Sequence, residues 1–82
     1  MPRYMVVNEH RPEDCDPMDA GLAHLPRHLV GRDFHCTCPY GVHAFYMVVE
    51  GHSAEDVIRG LPAEWRPGSR ALQIETFHLT GE

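Results

Sequence analysis

The sequence predicts an α+β domain in the order βαββαβ, with a four-stranded antiparallel sheet. Three observations predict it. Four runs rich in β-branched and aromatic residues recur along the chain: RYMVVN, DFHCT, HAFYMVVE and RALQIETFHL. Helix-start signals follow the first and third of these runs, at Asp16-Pro17 and at Ser53-Ala54-Glu55-Asp56. At 82 residues, 43% hydrophobic and 23% charged, the chain has room for one domain, residues 1–82, with one modest core.

Each element has its own warrant. Arg3 to Asn8 reads as the first strand. Asp16 is the expected N-cap of the first helix, with Pro17 at the first helical position. Met18, Leu22, Leu25 and Leu29 recur at helical spacing and form its apolar stripe. Pro26 interrupts that stripe, so a kink or break is expected near Leu25, and Gly31 supplies the stop. Asp33 to Thr37 is a short second strand, and Pro39-Tyr40-Gly41 is a turn. His43 to Glu50 is apolar on both parities, which predicts a central strand buried on both faces. Ser53 to Asp56 forms a capping box with Asp in place of Glu. Val57, Ile58 and Leu61 form the apolar face of the second helix, and Pro62 closes it. Trp65 and the turn-forming Pro67-Gly68 lead into the last strand, Arg70 to Leu79.

Short loops and right-handed crossovers leave few topologies for this order, and the ferredoxin-like arrangement is the natural one. It places the third strand beside the first and covers one sheet face with helices. The other face is left apolar and bare, and a second copy of the chain is its expected cover, making a homodimer.

The composition excludes several functions. A net charge of −5, with only 7 Lys+Arg and no basic run, does not suit a phosphate backbone, so no nucleic-acid partner is expected. The opening MPRYMVV has the wrong length and flanks for a signal peptide, and no apolar stretch approaches membrane-spanning length. A cytoplasmic protein with no membrane partner is expected. Three cysteines, an odd number, fit metal or thiol chemistry better than a disulfide framework, and seven histidines are many for this length.

The topology gathers four of these residues. His10 lies just past the upper end of the first strand, and Cys15 just before the helix that starts at that same end. Cys38 ends the second strand, and His43 begins the third after the turn. The spacing is His-x4-Cys and then its mirror, Cys-x4-His. Two thiolates and two imidazoles form a tetrahedral set for a borderline-soft ion. They suit zinc first, with nickel, copper or iron as alternatives, and argue against magnesium and calcium. One ion per chain is expected. Taken singly, a cysteine is an ordinary small hydrophobe and a histidine beside a turn an ordinary solvated group; the four gain weight only as a set. His35 and Cys36 are possible additional ligands, and Cys36 with Cys38 is an alternative Cys-x-Cys redox pair. Glu9 and Glu13 are candidates for orienting the imidazoles, although plain solvated acids are the commoner reading. His24, His28, His52 and His78 read as surface residues.

The stretch Asn8 to Cys15, with Cys38-x4-His43 and Tyr46 to Glu50, resembles small uncharacterised bacterial proteins of the dimeric ferredoxin-like type. Those proteins carry H-x-P-E-x-C and then C-x4-H-x-x-(Y/W)-x-(I/V)-V-E. More loosely, the chain is similar to a bacterial ferredoxin-like family of unknown function that includes a nickel-binding dimer. The resemblance implies a dimeric fold and transition-metal binding, and it implies no reaction. Cys36, His35 and the proline-broken helix depart from the pattern.

Three functions compete at this point. A closed Cys2His2 set suits a structural, storage or regulatory metal site and not hydrolysis. A small ferredoxin-like enzyme of the monooxygenase or isomerase type would use His35, Tyr46, Trp65 and His78 around a pocket for an unidentified small molecule; that reading rests on fold analogy. A thiol redox protein would use Cys36 and Cys38, and requires a depressed thiol pKa.

Overall fold

The computed structural model describes residues 1–81 and contains an open four-stranded antiparallel sheet with two helices. The strands are β1 (Arg3–Glu9), β2 (His35–Cys36), β3 (Ala44–Glu50) and β4 (Ser69–Ile74), in the sheet order β2-β3-β1-β4. The helices are α1 (Cys15–Leu22) and α2 (Ala54–Arg59), and 3₁₀ turns span Pro12–Asp14, Arg27–Leu29, Cys38–Tyr40 and Ala63–Trp65. In general terms this is a small ferredoxin-like fold, with the third strand beside the first.

Strand parity sorts the sheet into two faces. Tyr4, Val6 and Asn8 of β1 stand opposite Val49, Met47 and Phe45 of β3, and all six are buried beneath the helices. Leu29, Val57, Leu61 and Trp65 complete that core. Met5 and Val7 point the other way, beside Val48, Tyr46 and Leu72. β3 is therefore central but buried on one face only. Tyr46 and Val48 are half-exposed because, among the described residues, no element covers them.

Four boundaries differ from the sequence expectation. The second strand shrinks from Asp33–Thr37 to His35–Cys36, because Thr37 bends into the helical region and Cys38 opens the following 3₁₀ turn. The first helix starts at Cys15, led in by the 3₁₀ turn at Pro12–Asp14, so Asp16 is inside it and caps nothing. Pro17 falls at the third helical position, still within the first turn, whose N–H groups lack intrahelical acceptors. The helix ends at Leu22, and the Ala23 N–H tightens onto the Ala20 carbonyl at 3.2 Å. Pro26 has no N–H to continue the ladder, so Leu22 is left exposed, while Leu25 and Leu29 reach the core from the segment beyond. The last strand stops at Ile74, opposite Arg3, because β1 offers no partner further along; Phe77 and Leu79 lie past it, exposed. The second helix keeps the Ser53 half of its capping box, with the Asp56 N–H donating to Ser53 Oγ at 3.1 Å, while the Asp56 carboxylate pairs with Arg59.

Candidate metal centre

Backbone bonds bring four side chains to one end of the sheet. The β1–β3 ladder is extended past Glu9 by the His10 N–H donating to the His43 carbonyl at 3.0 Å, which seats the two histidines side by side. Their rings lie 5.9 Å apart, at 67° to one another. The 3₁₀ turn at Pro12–Asp14 folds the chain back, so that Cys15, the first residue of α1, returns over His10. The β2–β3 hairpin is closed by Thr37, whose hydroxyl donates to the Val42 carbonyl at 2.6 Å and whose N–H donates to Ala44 at 3.1 Å. Gly41 completes the turn at φ 95°, where a side chain would be strained. Cys38 and His43 are thereby held at the mouth of the hairpin.

His10, Cys15, Cys38 and His43 each present a donor atom, and all four atoms lie within 4.8 Å of one another. Cys15 Sγ is 3.4 Å from His10 Nε2 and 3.2 Å from His43 Nδ1, and Cys38 Sγ is 3.3 Å from His10 Nε2. A tetrahedral ion with Zn–S of about 2.3 Å and Zn–N of about 2.0 Å needs S···N separations of roughly 3.5 Å. These three spacings come within a few tenths of an ångström of that. All four residues are half-buried, so the donors are screened without being sealed off.

Asn8 sets the orientation of His10. It is fully buried, and its amide NH2 faces three oxygens: the Trp65 carbonyl at 3.1 Å, the Pro67 carbonyl at 3.0 Å and Ser69 Oγ at 2.7 Å. Those acceptors fix the amide, so Asn8 Oδ1 faces His10 Nδ1 at 2.9 Å and accepts its proton. His10 is thus the Nδ1–H tautomer, and its Nε2 lone pair is aimed at the two thiols. This outer hydrogen bond is the usual device for orienting a metal-binding imidazole. The turn at Pro67-Gly68 makes it possible: Gly68 has φ 80°, and a Cβ there would collide with the Glu9 carbonyl.

Asn8 was not among the residues singled out from the sequence. A signal existed, since Asn8 shares the inward parity of Tyr4 and Val6, and a polar residue on that parity needs partners. The acids nominated for the orienting role do not fill it. Glu9 is exposed, and Glu13 and Asp14 pair with Arg11 at 3.5 and 3.2 Å.

The remaining candidates are dispersed. His35 stands opposite Tyr46 on the open sheet face, away from the four donors. Cys36 lies on the helix side, next to Cys38 but outside the four-residue group. Its thiol is exposed, yet is raised above its ordinary value, chiefly by desolvation and further by Cys38 and Asp19, with the Cys38 N–H pulling the other way. That direction is opposite to an activated nucleophile. Trp65 is buried in the core with its indole N–H on the Met18 carbonyl at 2.8 Å, and His78 is exposed beyond β4. The four residues of the enzyme reading therefore lie on both sides of the sheet and do not converge. His24 pairs with Glu64 at 3.0 Å, while His28 packs beside Gly60. No helix among the described residues is long and apolar enough to cross a membrane. No protein-family model, curated protein or solved structure matches this chain.

Proposed function

We propose that the chain is a small transition-metal-binding protein holding one ion, zinc by preference, on His10, Cys15, Cys38 and His43, in a structural, storage or regulatory role. The observation that carries this reading is the convergence of two thiols and two imidazoles from three chain segments, with the His10 lone pair aimed inward by Asn8. Two sulfur and two nitrogen donors saturate a tetrahedral ion and leave no position for a substrate. Bound there, the ion neutralises two thiolates and ties β1, α1 and the β2–β3 hairpin together. In a domain this small, binding energy of that kind is folding energy. Nickel, copper and iron are the alternatives that the donor set admits.

We further propose a homodimer formed through the open sheet face, in the cytoplasm. Met5, Val7, Tyr46, Val48 and Leu72 form an apolar centre there, and Arg3, Arg70, Glu9 and Glu50 supply rim charges of both signs that a two-fold pairing can match. Three free thiols suit a reducing compartment.

Elemental analysis of untagged protein, purified without chelator, tests the central claim. About one ion per chain is expected, and a Cys15→Ser/Cys38→Ser double variant loses it. Protein free of zinc, nickel, copper and iron, and unable to take up added zinc, refutes the reading.

A further inference from the structure

Cys36 is the one thiol that the metal reading leaves unused. It is exposed on β2, opposite Phe45, and Cys38 follows two residues later. Thr37 between them has φ −99° and ψ −1°, a helical-region bend that brings its two neighbours closer than an extended strand does. Both cysteines line one pocket of about 240 Å³, together with His10 and Cys15. β2 is two residues long and paired on one side only, so this edge of the sheet has few bonds to resist a small adjustment.

We propose that Cys36 and Cys38 form an oxidisable dithiol site, with hydroperoxides as the oxidant class, whose disulfide excludes the metal ion. The exclusion rests on the metal-binding reading above; the dithiol itself does not. In the first step the Cys38 thiolate attacks a peroxide oxygen. An S–O bond forms, the O–O bond breaks, and the alcohol (water, for hydrogen peroxide) leaves with a proton from solvent. In the second step the Cys36 sulfur attacks the resulting sulfenic sulfur. The S–S bond forms, the S–O bond breaks, and hydroxide leaves as water with the Cys36 proton. The two sulfurs lose two electrons and the peroxide gains them. Cys38 is then no longer a donor, and Cys15, released from the ion, takes a proton from solvent.

Cys15 is the competing partner for Cys38. It is fixed at the start of α1 with its sulfur beside both imidazoles, and it is 23 residues from Cys38 along the chain. Cys36 and Cys38 are two residues apart and stay neighbours whether or not an ion holds the hairpin.

The test treats reduced, zinc-loaded, untagged protein with hydrogen peroxide. A chromophoric zinc indicator follows release, and non-reducing peptide mass mapping assigns the disulfide. A Cys36–Cys38 link is expected to appear together with zinc release and to be reversed by dithiothreitol. Cys36→Ser is expected to bind zinc like the wild type when reduced, yet to release it at least about tenfold more slowly under peroxide, because the tethered neighbour's effective concentration is lost. Cys36→Ala gives a second variant at this exposed position and is expected to behave the same way. A Cys15–Cys38 link, or release at the wild-type rate from both variants, overturns the proposal. If the reduced protein takes up no zinc, the metal-binding reading fails on its own. Mapping of the oxidised metal-free protein then decides the dithiol: a Cys36–Cys38 link upholds it, and any other product overturns it.

Discussion

Replacing Asn8 by Ala should damage both the fold and the metal centre, by amounts that can be separated. The amide NH2 serves three acceptors, and only the Trp65 carbonyl keeps another donor, the Ser69 hydroxyl; Ser69 Oγ itself loses the donor to its lone pair. The Pro67 carbonyl loses its side-chain partner. An unsatisfied buried polar group costs about 1–3 kcal/mol. Adding the amide's own lost contacts, metal-free Asn8→Ala should be less stable by about 2–3 kcal/mol, or roughly 10–20 °C in Tm for a domain of this size. The second effect falls on His10. Without Oδ1 the ring loses its tautomer bias, and loss of such an outer partner weakens metal binding by about 10–100-fold. At a free zinc level of about 100 times the wild-type Kd, the ion stabilises wild type by about 2.7 kcal/mol, and the variant by only about 0.4–1.4 kcal/mol. Paired melting curves with and without buffered zinc measure both effects, and chelator competition measures Kd directly. A variant that melts lower but keeps the wild-type Kd would show that Asn8 supports the core without orienting His10, refuting the assignment.

Three further outcomes follow from the packing. Gly21 lies against the Trp65 indole, and a Cβ there would overlap Nε1 and sit 2.9 Å from Cδ1. Gly21→Ala should therefore lower stability by about 1–3 kcal/mol through overpacking, reversing the gain of up to about 1 kcal/mol that Ala brings to an open helix site; an unchanged or higher Tm rejects this. Val48→Lys places a charge at the centre of the open sheet face, and light scattering should show a dimer of wild type become a monomer; a monomeric wild type removes the dimer proposal. The Glu64 carboxyl is held below its ordinary range by a hydrogen bond with its own backbone and then by His24. Its folded pKa is depressed, so its contribution is present above the unfolded value and fades as pH falls through the folded one. The Tm difference between wild type and Glu64→Gln should be open at neutral pH and close in acid, and a gap that widens in acid contradicts the assignment.

What could be read from the sequence was whatever is decided locally. The capping box at Ser53, the turn at Gly41 and the strand character of residues 3–8 depend on neighbours in the chain, and they appear where their residues place them. The ends of α1 and β4 do not depend on neighbours alone. α1 starts at Cys15 because the 3₁₀ turn at Pro12–Asp14 leads into it, and β4 stops at Ile74 because β1 starts at Arg3. The second fact belongs to the partner strand, and nothing within residues 75–79 announces it. The juxtaposition of His10, Cys15, Cys38 and His43 was readable because it needs only the strand directions. The role of Asn8 was not, since it requires Trp65, Pro67 and Ser69 to arrive from the far end of the chain.

The route from Asn8 to Trp65 has an optical consequence. The chain contains a single tryptophan. Two hydrogen bonds connect that residue to a donor imidazole, through Asn8 Nδ2 on its carbonyl and Asn8 Oδ1 on His10. Its indole packs at a tilt against Phe34 and Phe45, the rings that line the pocket beside the thiols. Intrinsic emission excited at the red edge of absorption therefore comes from one chromophore at one known address. The proposed ion uptake and thiol oxidation, and any loosening of the helix face, should each register in that signal in real time, with no label attached.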